Sequence, residues 1–288
     1  MLNRLPSWFR QELPDLKTSQ VQEILSKVKV HTVCREAKCP NISNCFKNKQ
    51  LTFLILGNSC TRNCSFCNVT KSESGNLGLD LLEPERVAKI VGVLGLSYVV
   101  ITSVTRDDLV DGGAKQFAKT VEMIHDLDKD IKVEVLIPDF KASRISIKTI
   151  LNSRPTVIAH NIETVPRLYL ELKPEADYKL SLKVLSMIKE TDSTMVTKSS
   201  LMLGLGEEED EVITVMKDLR ISGCDILTLG QYLAPSLKHY PVKEFIHPGK
   251  FQEYSKIALG FGFRSILSGP CVRSSYQAEQ IYQELAYV

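Results

Sequence analysis

The sequence has little that would take it to a membrane or to nucleic acid. No apolar run reaches the ~18 residues that suggest a membrane span. The first residues, Met1 to Arg10, lack the apolar core of a secretory signal. The net charge is only +2, with 36 basic and 34 acidic residues spread along the chain, which does not favour nucleic acid as a partner. We therefore expect a cytoplasmic protein with no membrane and no nucleic-acid partner.

Several motifs that often carry chemistry are also missing. No P-loop, no Rossmann glycine fingerprint and no Ser/His/Asp order is evident, and there is no short repeat or low-complexity segment. The 43% apolar and 24% charged residues are ordinary for a globular protein, and 288 residues suffice for one large domain with a full core. The chemistry has to come from another group of residues.

Cysteine provides that group, because six of the eight cysteines lie within two short segments. In a reducing cytosol, clustered cysteines are more often metal ligands or catalytic thiols than disulfides. Three thiolates leave one iron of a cubane iron–sulfur cluster open for another ligand, whereas structural zinc normally takes four ligands. The second triplet favours a cluster, while for the first a zinc site with a ligand from elsewhere is equally open. The triplets are Cys34, Cys39, Cys45 (C-x4-C-x5-C) and Cys60, Cys64, Cys67 (C-x3-C-x2-C).

Alternating apolar runs and amphipathic stretches predict an α/β fold. Six β–α units in series favour a partial (β/α)6 TIM-type barrel at residues 51–264, although an open doubly wound sheet remains an alternative. Residues 1–50 and 265–288 are predicted to be extensions packed over the barrel mouth. The predicted strands are Leu51–Gly57, Tyr98–Ser103, Lys132–Ile137, Thr156–Asn161, Thr197–Gly204 and Asp225–Gln231. The predicted helices include Glu85–Leu94, Ala114–Leu127, Asp177–Ile188 and Glu207–Ile221.

The second triplet, on the loop after the first strand, resembles that of the radical S-adenosylmethionine superfamily. In that superfamily the open iron binds S-adenosylmethionine, and an electron from the cluster cleaves it to produce a 5′-deoxyadenosyl radical that abstracts hydrogen from an unactivated carbon. Both triplets together, with five further segments, resemble the lipoyl synthase family over nearly the whole chain. Those segments are Arg106-Asp107-Asp108-Leu109 with Asp111-Gly112-Gly113, His160 to Arg167, Gly204 to Glu207, Gly230 to Leu233, and Gly269 to Tyr276 with its Arg-Ser-Ser-Tyr ending.

The resemblance implies an enzyme, a sulfurtransferase that inserts two sulfur atoms at carbons 6 and 8 of a protein-bound octanoyl chain. It implies that Cys60, Cys64 and Cys67 hold the 4Fe–4S cluster that cleaves S-adenosylmethionine. It implies that Cys34, Cys39 and Cys45 hold an auxiliary 4Fe–4S cluster that is consumed as the sulfur source. The fourth ligand of the auxiliary cluster is expected to be a serine of Arg-Ser-Ser-Tyr, and we favour Ser275 over Ser274.

The same resemblance places contacts to S-adenosylmethionine at strand ends. Asn161 and Glu163 suit hydroxyl and ammonium groups. Lys198 and Arg273 are expected to bind the carboxylate or to order the site; either is alternatively a solvated or structurally paired charge. Gly112-Gly113 lie near the methionine amino group or form a helix-entry turn. Gln231 and Tyr232 are expected near the pocket mouth, whereas a structural role is at least as open for His239, and Cys271 is interpreted as a buried thiol.

The expected partners also follow from the resemblance. They are octanoylated lipoyl carriers (the H protein and the acyltransferase subunits of 2-oxoacid dehydrogenases), a ferredoxin or flavodoxin electron donor, and a carrier that rebuilds the consumed cluster. A monomer is expected. The rival hypotheses are another radical S-adenosylmethionine enzyme with two clusters, such as a methylthiotransferase, and a zinc-stapled binding protein.

Overall fold

The computed structural model describes residues 5–9, 16–72 and 78–285. The predicted extensions are therefore described only in part. Residues 1–4 and 10–15 of the N-terminal one, and residues 286–288 of the C-terminal one, lie outside the described residues. Half of the segment from Met1 to Arg10 lies outside the described residues as well.

The centre of the fold is an eight-stranded sheet in which seven consecutive members run parallel and the first strand is antiparallel to the second. A separate parallel pair, β3 and β4, lies in the loop after β2. In chain order the strands are β1 (His31–Thr32), β2 (Thr52–Ile55), β3 (Ser59–Cys60), β4 (Thr70–Lys71), β5 (Tyr98–Ser103), β6 (Lys132–Leu136), β7 (Val157–Ala159), β8 (Val196–Leu203), β9 (Ile226–Gln231) and β10 (Ser265–Gly269).

Helices follow the strands and cover the sheet. They are α1 (Leu16–Lys27), α2 (Val33–Glu36), α3 (Ile42–Lys47), α4 (Glu83–Leu94), α5 (Ala114–Leu127), α6 (Arg144–Asn152), α7 (Tyr169–Leu172), α8 (Tyr178–Thr191), α9 (Glu209–Ile221), α10 (Pro248–Gly260) and α11 (Ala278–Glu284). All four helices predicted above are present within a few residues of their expected bounds. In α5, for example, Phe117, Val121 and Ile124 are fully buried, as their spacing of three and four residues predicts. Leu127, expected on the same side, is 52% exposed, because it is the last residue of the helix.

The strand order distinguishes a barrel from a doubly wound sheet. Neighbours in the sheet follow chain order, β2-β5-β6-β7-β8-β9-β10, without the reversal of order that defines a doubly wound sheet. All six predicted strands are found in this series, so the partial-barrel prediction is confirmed. Two strands of this sheet were not predicted, because β1 has only two residues and β10 carries serine and glycine among its five. The two lie at opposite ends of the strand order.

One end of the barrel is closed by α11. Ile281 and Leu285 pack with Ile226, the first residue of β9, and the Tyr282 ring lies 6.1 Å from that of Tyr98, the first residue of β5. Since these are amino-terminal strand residues, α11 covers the amino ends of the strands. The carboxyl ends, on the opposite side, are where barrel active sites form.

Candidate functional site

A cavity of about 530 Å³ opens at the carboxyl ends of the strands. All six clustered cysteines line it, together with the Arg-Ser-Ser-Tyr segment and residues from the ends of β5 to β9. The N-terminal extension, the barrel and the C-terminal segment thus meet at a single cavity. The sequence predicted each of these groups separately, and the fold brings them together.

The loop that carries the second triplet is held tightly where it leaves β2. Leu56 and Gly57 both adopt positive φ, at 67° and 84°, and their backbone N–H groups donate to the two carboxylate oxygens of Glu83, at 2.7 and 3.1 Å. The Leu56 side chain lies where a β-carbon on Gly113 would be, at 2.2 Å. Leucine is strained at positive φ, so these contacts impose the turn that directs the loop toward the cavity.

Backbone donors and one lysine shape the loop itself. The N–H groups of Arg62 and Thr105 donate to the Cys60 sulfur at 3.4 and 3.3 Å. Lys71 donates to the carbonyls of Cys64 and Cys67 at 3.2 and 3.1 Å. Burial raises the pKa of Cys64 to about 11, although the nearby Lys173 and Lys71 oppose the shift. Buried thiolates at these positions need a compensating cation, which a bound metal cluster supplies.

Arg62, between two cysteines of this loop, is clamped by two carboxylates: Asp107, from one of the segments with a family resemblance, and Asp139, which no sequence motif indicated. Its guanidinium is bidentate to Asp107, with contacts of 2.7 and 3.0 Å, and also pairs with Asp139. Burial alone would raise the pKa of Asp139, but the Arg62 hydrogen bonds and charge lower it to about 2. Asp139 closely follows β6, so a search for carboxylates just past each strand could have found it.

Replacing Arg62 with methionine should lower the free energy of unfolding at neutral pH by about 3–5 kcal/mol, because two carboxylates would lose their shared cation. At pH values above the ordinary aspartate range, Asp139 is ionised in both the folded and the unfolded state. The stabilisation that accompanies its lowered pKa is therefore fully present at neutral pH. It is lost as pH falls through about 2.

Denaturant titration of anaerobically prepared protein measures this effect. The matched control is Arg144→Met, which breaks an exposed pair with Glu190 at 3.2 Å and should cost less than about 1 kcal/mol. Equal losses in the two variants would mean that the Arg62 clamp does not hold the loop.

The first triplet reaches the cavity because β1 pairs with β2, with His31 opposite Leu54. Cys34 follows in α2, where burial raises its pKa to about 12; the nearby Thr52 backbone N–H opposes this shift. Asn68, directly after the second triplet, donates to the Glu36 carbonyl at 2.6 Å. The segments that carry the two triplets are therefore tied to each other.

The C-terminal motif folds back over the same cavity. Gly230 permits this approach, because a β-carbon there would lie 2.1 Å from the Val272 carbonyl oxygen. On the other side, Asn41 donates to the Cys271 carbonyl at 2.6 Å, and the Asn44 amide donates to the Tyr276 hydroxyl at 3.3 Å. The motif therefore closes the gap between the last barrel strand and the N-terminal extension.

The two serines of the motif point to different neighbours. The Ser275 oxygen lies 2.7 Å from the Thr52 hydroxyl, next to Cys34. The Ser274 hydroxyl donates to the Asn161 side-chain oxygen at 2.8 Å, and the Asn161 amide donates to Glu163 at 3.0 Å. Ser275 thus faces the first triplet, whereas Ser274 faces the end of β7.

The end of β7 presents a polar group to the cavity. Glu163 has a positive φ of 70°, and a single bridge to Leu201 continues the sheet there. Burial raises the Glu163 pKa and lowers that of the nearby Lys173, while the attraction between the two charges opposes both shifts. His160 is buried and neutral, with its pKa lowered to about 4, mainly by burial. Its Nδ1 donates to the Ile137 carbonyl at 2.9 Å, and its Nε2 is buried without a partner.

The remaining predicted residues divide between the cavity and the surrounding structure. Arg273, Gln231 and Tyr232 line the cavity. Lys198 does not: its ammonium donates to Glu134 at 2.8 Å, and both side chains are at most 1% exposed. Lys198 is therefore a structurally paired charge, which is the alternative given above for this residue, because of its inward position on β8. Gly112-Gly113 pack against Phe140 and Leu56 at the start of α5, and His239 pairs locally with Ser236.

The donor set fits two clusters better than zinc. Among the described residues, which include every cysteine, no three His, Cys, Asp or Glu side chains converge as ligands of a single metal ion. Three thiols in each triplet leave one iron of a cubane open, whereas a closed zinc site normally takes four protein ligands. The Glu163 carboxylate and the unpartnered His160 Nε2 offer polar contacts beside them, as a polar cosubstrate requires.

Comparisons with known proteins agree with this geometry. Residues 54–219 match the family model described as the radical SAM superfamily. The chain is 50% identical to the lipoyl synthase of Caldicellulosiruptor saccharolyticus, covering 97% of this chain and 98% of that protein. It is 51% identical to the lipoyl synthase of Aquifex aeolicus, covering 91% and 94%.

Solved structures share the fold at low identity. The FeFe-hydrogenase maturase HydG from Carboxydothermus hydrogenoformans superposes with a TM-score of 0.59 at 15% identity, covering 96% of this chain and 63% of that one. Methylornithine synthase (PylB) gives 0.55 at 13% identity, covering 85% and 74%. Within the part of the chain that the structure describes, no helix is long and apolar enough to span a bilayer.

Proposed function

Because the chain belongs to the lipoyl synthase family of radical S-adenosylmethionine enzymes, we propose that its two cysteine triplets hold two 4Fe–4S clusters with separate tasks. Cys60, Cys64 and Cys67 hold the cluster that binds S-adenosylmethionine. Cys34, Cys39 and Cys45, with Ser275, hold the auxiliary cluster. The observation that carries this proposal is the single cavity lined by all seven residues.

The reaction is the insertion of two sulfur atoms into a protein-bound octanoyl chain. When bound, one cluster supplies the electron that cleaves S-adenosylmethionine, and the other supplies the sulfur. The protein has to place the substrate carbon between the two and keep water out, because a reactive radical is otherwise quenched. The contacts that tie α2 to the second-triplet loop and the C-terminal motif to α3 enclose this space.

Contacts to S-adenosylmethionine are assigned to the end of β7 and to Arg273. Glu163 and Asn161 accept and donate hydrogen bonds beside the second triplet, and Arg273 adds a cation at the cavity wall. Lys198 is not assigned a contact to S-adenosylmethionine, because its ammonium group is already paired with Glu134. The Arg62 clamp and Lys71 hold the loop that presents the three thiolates.

Ser275 is favoured over Ser274 as the fourth auxiliary ligand by its surroundings. Its oxygen lies against Thr52, whose backbone contacts Cys34. The Ser274 proton is instead committed to Asn161, since a reversed Asn161 amide would point its oxygen at the Glu163 carboxylate. A serine oxygen is a harder ligand than thiolate, and a weaker fourth ligand suits a cluster that has to be dismantled.

Replacing Ser275 with alanine should abolish sulfur insertion and preserve 5′-deoxyadenosine formation, because the auxiliary cluster alone loses a ligand. Ser274→Ala is the matched control one residue away. It should retain sulfur insertion and raise the KM for S-adenosylmethionine several-fold, by freeing the Asn161 amide to rotate. Mass analysis of the carrier measures sulfur insertion, and the amount of 5′-deoxyadenosine formed per turnover measures cleavage. Together the two measurements distinguish Ser275→Ala from Ser274→Ala. Loss of insertion in Ser274→Ala, with Ser275→Ala unaffected, would reverse the assignment.

The substrates are octanoylated lipoyl domains. Among these we propose the H protein and the acyltransferase subunits of 2-oxoacid dehydrogenases, a reduced ferredoxin or flavodoxin as electron donor, and a separate carrier that rebuilds the auxiliary cluster. We also propose a cytoplasmic monomer in three parts, residues 1–50, 51–264 and 265–288. Anaerobic incubation of reduced protein with S-adenosylmethionine and each octanoylated carrier tests the choice, through the mass gain from two inserted sulfurs. A carrier that shows no gain is not a substrate.

A further inference from the structure

Thr52 is the first residue of β2, and it touches both ends of the chain. It is 3% exposed and lines the cavity. Its hydroxyl oxygen lies 2.7 Å from the Ser275 oxygen, and its backbone N–H lies near enough to Cys34 to oppose the rise in the pKa of that thiol. One residue is therefore hydrogen-bonded to a proposed auxiliary ligand from the C-terminal motif and lies beside another from the N-terminal extension.

The backbone of Thr52 is fixed by the sheet. It is paired with Val100 of β5 in the parallel register, and the neighbouring Phe53 is paired with Thr32 of β1. Ser275, by contrast, lies in the segment that connects β10 to α11. A hydrogen bond between the two thus holds a residue of a connecting segment against a rigid strand.

We propose that Thr52 is a positioning residue for the auxiliary cluster, with its hydroxyl donating to the ligating oxygen of Ser275. The inference rests on the proposed ligation by Ser275. A serine oxygen bound to iron has no proton left to donate, so the proton of this hydrogen bond has to come from Thr52. Hydrogen bonds of this kind orient metal ligands and tune their strength.

The same contact has a second consequence when the cluster is dismantled. The oxygen of Ser275 then leaves iron at a partly buried position in the cavity wall, where a hydroxyl without a partner is destabilising. Thr52 remains within hydrogen-bonding distance and offers that partner. The residue therefore sets the strength of the fourth ligand while the cluster is intact and stabilises the released serine afterwards.

The test uses protein in which Cys60, Cys64 and Cys67 are all alanine, so that only the auxiliary cluster is loaded. The probe is the rate at which an iron chelator bleaches the visible absorbance of that cluster under anaerobic conditions. Thr52→Val keeps the β-branched shape and removes only the hydroxyl. It should accelerate iron loss by roughly 10–100-fold, the usual effect of removing a hydrogen bond to a metal ligand. Thr52→Ser keeps the hydroxyl and should stay within about twofold of the parent.

Thr228→Val is the matched control, because this threonine is also a fully buried strand residue, and its hydroxyl makes only a 3.5 Å contact to a backbone carbonyl. It should leave the rate unchanged. Ser275→Ala tests the ligation by Ser275 separately from the role of Thr52. An unchanged rate in Ser275→Ala overturns the serine ligation itself. An accelerated rate in Ser275→Ala with a parental rate in Thr52→Val overturns only the role of Thr52.

Combining the changes distinguishes positioning from general stability. If Thr52 acts through Ser275, the chelation rate of Thr52→Val/Ser275→Ala should equal that of Ser275→Ala. A further tenfold increase in the double variant would mean that Thr52 supports the fold and not the ligand. A Thr52→Ser rate as fast as that of Thr52→Val would likewise overturn the proposal, because the hydroxyl would then be irrelevant. Mössbauer spectra provide a second readout: the signal of the oxygen-ligated iron should change in Thr52→Val and persist in Thr52→Ser.

Discussion

Replacing Cys64 with alanine is expected to stop 5′-deoxyadenosine formation. Two thiolates cannot hold a cubane with one open iron as three do. Cys64 is also the thiol most clearly set among cations, since both Lys173 and Lys71 lower its pKa against the larger effect of burial. The measurement is the yield of 5′-deoxyadenosine from reduced protein, together with the iron content, which should fall from about eight to about four per chain.

Cys224→Ala is the control for this change. Cys224 is fully buried, far from both triplets in sequence, and its sulfur contacts the Ile226 carbonyl at 3.2 Å. Its removal should cost stability only, of the order of 1 kcal/mol for a small buried side chain, with product and iron content unchanged. A normal yield of 5′-deoxyadenosine from Cys64→Ala would show that the second triplet is not the site of cleavage.

Replacing Cys39 with alanine is expected to separate the two halves of the reaction. The first triplet is held by α2, α3 and the C-terminal motif, whereas the loop of the second triplet is held by Glu83 and the Arg62 clamp. Loss of an auxiliary ligand should therefore leave the second loop in place. Cleavage of S-adenosylmethionine should continue, and sulfur insertion into an octanoylated lipoyl domain should fall below detection.

Mass spectrometry of the carrier and chromatography of 5′-deoxyadenosine measure the two halves in one reaction. Circular dichroism is recorded in parallel, because Asn68 links the two cysteine segments through Glu36. If both activities disappear while the helical signal and the melting transition are unchanged, the proposed division of tasks is wrong. Retained sulfur insertion would remove Cys39 from the ligand set.

Much of the architecture could be predicted from local pattern. Runs such as Tyr98–Ser103 and Lys132–Leu136 are found almost as predicted, because strands covered on both faces have little polar alternation. The strand β10 was not found, because Ser265–Gly269 is mostly half-buried and carries two serines and a glycine. Its place in the sheet depends on parallel pairing with β9, a long-range contact that leaves little trace in a short sequence.

The candidate site likewise combines features that local sequence predicts with features that depend on long-range contacts. Cysteine spacing and the residues after each strand indicated a cluster site, because thiolate ligands and strand ends have local signatures. The pairing of the Arg62 clamp could not be read from spacing, because Asp107 and Asp139 come from two other loops. Lys198 lies near the amino end of its strand, away from the cavity at the carboxyl ends, and the register of β8 gives its ammonium to Glu134.

The sequence by itself determined which donors this protein has and the order in which the barrel presents them. Residue type and spacing are properties of the chain, and they are read without knowing what lies opposite. The tertiary structure alone decided which residues meet: Ser275 with Thr52 and Ser274 with Asn161, pairs separated by 223 and 113 positions. The physical reason is that such pairings depend on strand register and on the packing of both ends of the chain against the barrel, which only the complete fold defines.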